Sequence, residues 1–139
     1  MTKHILALTY KPKIPGVLTG KITQTIRPLS DKRKNKNDLI MFHGWSDKPY
    51  RSKWSFRTPW WKIKQVFDFH FDTDDGKRII RKVNQYDNFY TVSDREMQHI
   101  AKLDGFAGFQ QMFDWFYKTY SSELWELMFT CIRWEYKEG

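Results

Sequence analysis

Three residue types that together can carry out a hydrolysis stand at two places along the chain. The stretch 20–28, GKITQTIRP, holds Lys21, Thr23, Thr25 and Arg27 at alternate positions, and Asp104 stands far downstream, just before Gly105. A lysine can act as base or cation, a threonine hydroxyl as nucleophile, and a carboxylate as the orienting acid. Successive strand residues point to opposite faces. As a strand, 20–28 is expected to show Lys21, Thr23, Thr25 and Arg27 on one face and Ile22, Gln24 and Ile26 on the other. That is a polar, cation-ended ribbon backed by two isoleucines. Lys, Thr and Asp are common residues, and spacing alone does not join them into one site. The same ribbon also suits binding, because an arginine can grip a phosphate or carboxylate through two parallel hydrogen bonds.

Other chemistries have less behind them. His4, His43, His70 and His99 are scattered, without the spacing of metal ligands. Cys131 sits among apolar residues and reads as a small buried hydrophobe. The run DTDDG at 72–76 resembles half of a calcium loop, but its glycine comes one position early and no bidentate acid follows. It reads as a turn. There is no glycine-rich phosphate loop and no Gly-x-Ser-x-Gly elbow. No cofactor and no metal are expected.

Charge is the strongest signal of all. The chain of 139 residues has a net charge of +8, yet residues 32–64 alone hold ten Lys/Arg against Asp38 and Asp47. The remaining residues carry fourteen of each sign. The basic window also contains Trp45, Trp54, Trp60 and Trp61, four of the seven tryptophans. Cations meet phosphates and aromatic rings offer stacking faces, so this is the footprint expected of a nucleic-acid reader. Candidate contacts are Lys32, Arg33 and Lys34 in the loop 29–38, Trp45 near a turn, and Arg51, Lys53 and Arg57 in the stretch 50–57. A single cysteine excludes an internal disulfide framework. No run approaches the roughly 18 apolar residues of a membrane span, and no signal peptide is seen. A cytoplasmic protein without membrane contact is expected, with a monomer as the default.

The elements that must position these residues follow from periodicity and punctuation. Strands are expected over 4–10, 22–28 and 38–45, with a turn or short helix over 11–19. In 50–57, Tyr50, Trp54 and Phe56 should pack inward while Arg51, Lys53 and Arg57 face out. Residues 61–72 and 77–83 form a hairpin around Gly76. Ser93 and Glu96 make a capping box for a helix that stops at Asp104-Gly105. From Phe106, aromatics at 106, 109, 113, 116, 117 and 120 mark a second helix with a wide apolar face. Residues 124–136 alternate as a last long strand. One α+β domain spanning 1–139 is expected.

The pieces 20–28, 38–42, 103–106 with the helix to Tyr120, and 132–134 together resemble the ASCH domain of the PUA-like superfamily. The resemblance covers nearly the whole chain. It implies a small PUA-like β-barrel of about five to seven strands, two or three flanking helices, and a cleft that binds RNA or other nucleic acid. One branch of the family removes the acetyl group from acetylated cytidine with a Lys and a Thr of the corresponding strand and an acid before the aromatic helix. The Thr falls on Thr25 and the acid on Asp104. The Lys position holds Ile22, and Lys21 comes one residue early, which in a strand turns it to the other face. Ribonuclease activity is also attributed to a family member, and no acid–base pair for it is found here. The resemblance thus implies a module that reads a single-stranded or flipped nucleotide through Thr23, Thr25, Arg27 and Asp104. A hydrolase of modified nucleosides using Thr25, Asp104 and Lys21 is the second reading. An interaction domain for an acidic protein is the third.

Overall fold

The structure is a computed structural model that describes residues 1–45 and 53–138, with Trp54 placed by its backbone only. The fold is α+β, with eight strands and three α-helices among the described residues. In chain order these are β1 (Lys3–Ala7), α1 (Ile14–Thr19), β2 (Gln24–Pro28), β3 (Leu39–Trp45), β4 (Trp54–Arg57), β5 (Trp61–Asp74), β6 (Lys77–Val83), β7 (Phe89–Thr91), α2 (Asp94–Leu103), α3 (Phe109–Tyr120) and β8 (Phe129–Trp134). Strand β1 runs parallel to β3, whereas β4 and β5 pair with β3 antiparallel, so the sheet is mixed. Strand β8 pairs with both β2 and β5. The pairings of the described residues do not return on themselves to close a ring, so the sheet is open where a closed barrel was expected.

The chain packs as two compact units. The first comprises 1–23, 32–66 and 132–139, the second 24–31 and 67–131. Each has its own core. In the first, Trp61 and Trp134 lie parallel with ring centroids 6.0 Å apart, and Phe42 packs 4.8 Å from Trp134. Ile40, Ile63 and Ile132 close around them. In the second, the ring of Phe71 on β5 meets Phe113 and Phe116 of α3 and Phe129 of β8 at 5.2–5.7 Å. Of the aromatic stripe read from the sequence, Phe109, Phe113 and Phe116 are the buried core face of α3, whereas Tyr117 is exposed and Phe106 precedes the helix. Burial of each such ring stabilises by about 2–3 kcal/mol.

Local signals position α2 as read. Ser93 Oγ accepts from the Glu96 N–H at 3.2 Å, and α2 ends at Leu103 with Gly105 at φ 96°. Helix α3 starts at Phe109, three residues later than expected, because the Phe109 N–H is taken by Gln98 Oε1 at 2.9 Å. A Cβ on Gly108 would stand 2.9 Å from that same Gln98 oxygen. The hairpin of β5 and β6 turns at Asp75 and Gly76, both with positive φ.

Strand β1 covers Lys3–Ala7 where 4–10 was expected, and two further strands differ more from their sequence reading. Residues 20–23 are not strand, because they serve the exit from α1. Gly20 takes φ 81° at the helix end, where a Cβ would lie 2.6 Å from the Tyr136 ring. The Ile22 N–H then donates back to the Gly16 carbonyl at 2.9 Å. In β2 itself Gln24, Thr25 and Ile26 are all buried, so the polar face expected of the ribbon is covered. Strand β8 is also shorter than expected and buried at every position from Phe129 to Trp134, with Ser121–Glu126 forming a 3-10 turn before it. A strand covered on both faces has no polar side for alternation to mark. The three-residue β7, exposed along its length and paired with β6, was not anticipated.

Candidate functional site

Asp104 caps the C-terminal end of α2, where carbonyls leave partial negative charge and a carboxylate is disfavoured. It is only 7% exposed. Gln24, fully buried on β2, bridges this arrangement. Its Nε2 donates to the Ile100 carbonyl of the last helical turn at 2.9 Å and to Asp104 Oδ1 at 3.3 Å. One amide therefore ties the strand to both negative groups at the helix end. Gln24 was assigned to the back of the ribbon by alternation, yet it is the residue that meets the acid. Its sequence signal was a carboxamide inside an otherwise apolar strand interior.

Thr25 follows Gln24 in β2 and is 4% exposed. Neighbouring strand residues leave opposite faces, which directs the Thr25 hydroxyl away from the side on which Gln24 meets Asp104. Arg27 lies half-buried on the same strand, near Tyr120. Burial raises the Tyr120 phenol above its ordinary pKa, and the Arg27 charge pulls it back in part. Lys21 is exposed and precedes β2, and the Thr23 carbonyl accepts from the Trp134 N–H at 3.1 Å. Lys21 and Thr23 belong to the first unit, and Thr25, Arg27 and Asp104 to the second. The four alternate residues of 21–27 are therefore not one strand face.

The basic residues divide sharply. The first unit carries sixteen Lys/Arg against four Asp/Glu, a net of +12, and the second carries eight against twelve, a net of −4. Of the expected contacts, Lys32, Arg33, Lys53 and Arg57 are exposed and Lys34 is half-buried. Arg51 lies outside the described residues. Lys62 and Lys64 on β5 add two exposed cations, with Ile63 buried between them. Trp45 is half-buried, its ring edge-on to the buried His43 at 4.8 Å. Trp60 is half-buried, with the Lys3 ammonium 5.3 Å above its ring, and Phe56 packs against the first core as expected.

One of the two acids in the basic window is withdrawn from the surface. Asp38 is buried and accepts from the Thr2 and Asn35 N–H groups at 3.1 and 3.0 Å, while its Oδ2 lies 2.8 Å from His4 Nε2. The His4 hydrogen bond holds the Asp38 carboxyl below its usual pKa, helped by the two backbone bonds and opposed by burial. The described cations of the window are thus left without that acid as a surface neighbour. The other acid, Asp47, falls outside the described residues.

Among the described residues no group of three His, Cys, Asp or Glu is placed to hold a metal ion. No helix among them is long and apolar enough to cross a membrane. Cys131 is buried in β8. Comparison with protein-family models, with curated proteins and with solved structures finds no match for this chain.

Proposed function

We propose that the chain is a nucleic-acid-binding module of ASCH type, with RNA as its partner. The observation that carries this reading is the charge division, +12 in one unit and −4 in the other, with Asp38 buried away from the basic window. Lys32, Arg33, Lys53, Arg57, Lys62 and Lys64 then grip the phosphate backbone, a contact that releases counterions and depends steeply on salt. Arg27, half-buried on β2, supplies a donor fork to a nucleotide read in single-stranded or flipped form. The resemblance to the PUA-like superfamily supports RNA over DNA.

The test is fluorescence anisotropy with short labelled single-stranded RNA, matched DNA and matched duplexes at low and near-physiological salt. The reading expects micromolar or tighter binding that weakens with salt and favours single-stranded RNA. Absence of binding at low salt would remove its basis.

A second reading, a hydrolase of modified nucleosides, draws on Asp104. Asp104 is a buried carboxylate at the end of α2 where the helix dipole disfavours negative charge, and a carboxylate so placed is a candidate for chemistry. The placement of Thr25 on the face opposite Gln24 weighs against a Thr25–Asp104 pair. Incubating the protein with acetylated cytidine and following release of acetate decides between the two. Turnover that disappears in Thr25→Val and Asp104→Asn would favour the enzyme.

A further inference from the structure

A cavity of about 250 Å³ opens in the second unit, lined by residues that neither reading uses. Its polar groups come from adjoining strands. His70 and Asp72 are two apart on β5 and share a face, and Arg81 of β6 is the cross-strand partner of His70. Phe89 of β7, with Trp125 and Glu126 of the 3-10 turn, completes the part of the lining that matters here. Phe89 is 53% exposed and Trp125 38% exposed. Two large aromatic surfaces thus remain in water beside a set of polar groups, the usual composition of a small-molecule site. The Phe89 ring also meets His70 edge-on at 4.8 Å.

Arg81 is ion-paired on one side. Its Nε lies 3.1 Å from Asp72 Oδ2, while Asp72 Oδ1 accepts the Thr73 N–H at 2.8 Å. This leaves the two terminal amines of the guanidinium to serve a ligand. Together Arg81 and Asp72 are neutral. An anion placed there would face Asp72 and Glu126 in a unit that is already net negative. A neutral carbonyl oxygen suits the Arg81 donors without that repulsion, and Glu126 offers an acceptor to an amine. The aromatic surfaces favour a flat ring, because such a ring offers a face that stacks on Trp or Phe.

We propose that this cavity binds an uncharged nucleoside whose base carries both a carbonyl and an exocyclic amine, as cytosine and guanine do. Arg81 donates to the carbonyl, Glu126 accepts from the amine, and Phe89 and Trp125 flank the ring. The proposal does not rest on nucleic-acid binding by the basic unit. A nucleoside has no phosphate, so either can fail while the other stands.

The test is titration of the full chain with cytidine, guanosine, uridine and cytidine 5′-monophosphate, followed by ligand-observed nuclear magnetic resonance and calorimetry. Cytidine or guanosine should saturate the protein at millimolar concentration or below. Uridine, which lacks the amine, should bind about ten-fold more weakly, and Arg81→Met should cost about ten-fold. Trp125→Leu should weaken binding as well, with circular dichroism reporting whether it folds. Arg81→Met alters one partly exposed side chain and carries the test if Trp125→Leu does not fold. The proposal is overturned if no nucleoside saturates, if uridine binds equally well, if Arg81→Met binds as tightly as the parent chain, or if the monophosphate binds more tightly than cytidine.

Discussion

The two units solve folding with different materials. The first builds its core on paired tryptophans, Trp61 and Trp134, and its sequence carries sixteen Lys/Arg. The second builds on phenylalanines from β5, α3 and β8 and carries an excess of acids. Stability alone does not require such a division, because net charge far from zero is self-repelling in a compact state. Core and charge are also separable within the first unit. On β5, Ile63 points into the core between exposed Lys62 and Lys64, so the cations can change while the packing stays.

Substitutions in the two cores should have the largest effects. Trp61→Ala and Phe71→Ala should each cost about 3–5 kcal/mol in urea unfolding, since both rings are fully buried. Equal costs would show that the basic unit is packed as firmly as the acidic one. A cost under about 1 kcal/mol for Trp61→Ala would show a loose first core.

Next comes the buried acid. Asp38→Ala leaves His4 and the Thr2 and Asn35 N–H groups without their acceptor, and should destabilise by about 2–3 kcal/mol. The Asp38 carboxyl has a lowered pKa in the folded state. Its contribution is therefore full above the unfolded carboxylate value of about 3.9 and is lost as pH falls through the lower folded value. Urea unfolding between pH 3 and 7 should show an acid-side loss of stability that is smaller in Asp38→Asn. The same acid loss in both proteins would remove Asp38 from the account.

Smaller effects separate the helix ends of the second unit. Ser93→Ala should cost about 1 kcal/mol through loss of the cap to Glu96. Asp104→Asn should be neutral or stabilising by about 0.3–1 kcal/mol, because it removes charge from the negative end of α2. A thermal melt of that variant sharpens the comparison. A clear loss of stability would mean that the charged Gln24–Asp104 bond matters to the fold itself rather than to a ligand.

What could be read in the sequence was local. The Ser93 cap, the stop at Asp104-Gly105, the turn at Asp75-Gly76 and the face of α3 each depend on residues a few positions apart. Strand β3 was readable because it is an unbroken apolar run ending near a glycine. The beginning of β2 was misplaced because Gly20 ends a helix there, and the polarity of 21–27 imitates an exposed strand. Strand β8 was overextended for a related reason, since burial on both faces removes the period that would mark its limits. The contact of Gln24 with Asp104 joins positions eighty residues apart, and no local pattern announces it. The concentration of cations was legible at once, whereas the withdrawal of Asp38 by His4 was not.

The most direct test compares matched charge removals in the two units by RNA anisotropy across a salt series. Lys32→Gln with Arg33→Gln removes two exposed cations from the first unit, and Lys102→Gln with Lys118→Gln removes two from the second. The account predicts that the first pair weakens binding about ten-fold and lowers the slope of log affinity against log salt by about 1.4, the value for two lost phosphate contacts on a single strand. The second pair should leave both within about two-fold of the parent chain. Equal losses from the two pairs, or a larger loss from the second, would contradict the assignment of the nucleic-acid surface to the basic unit.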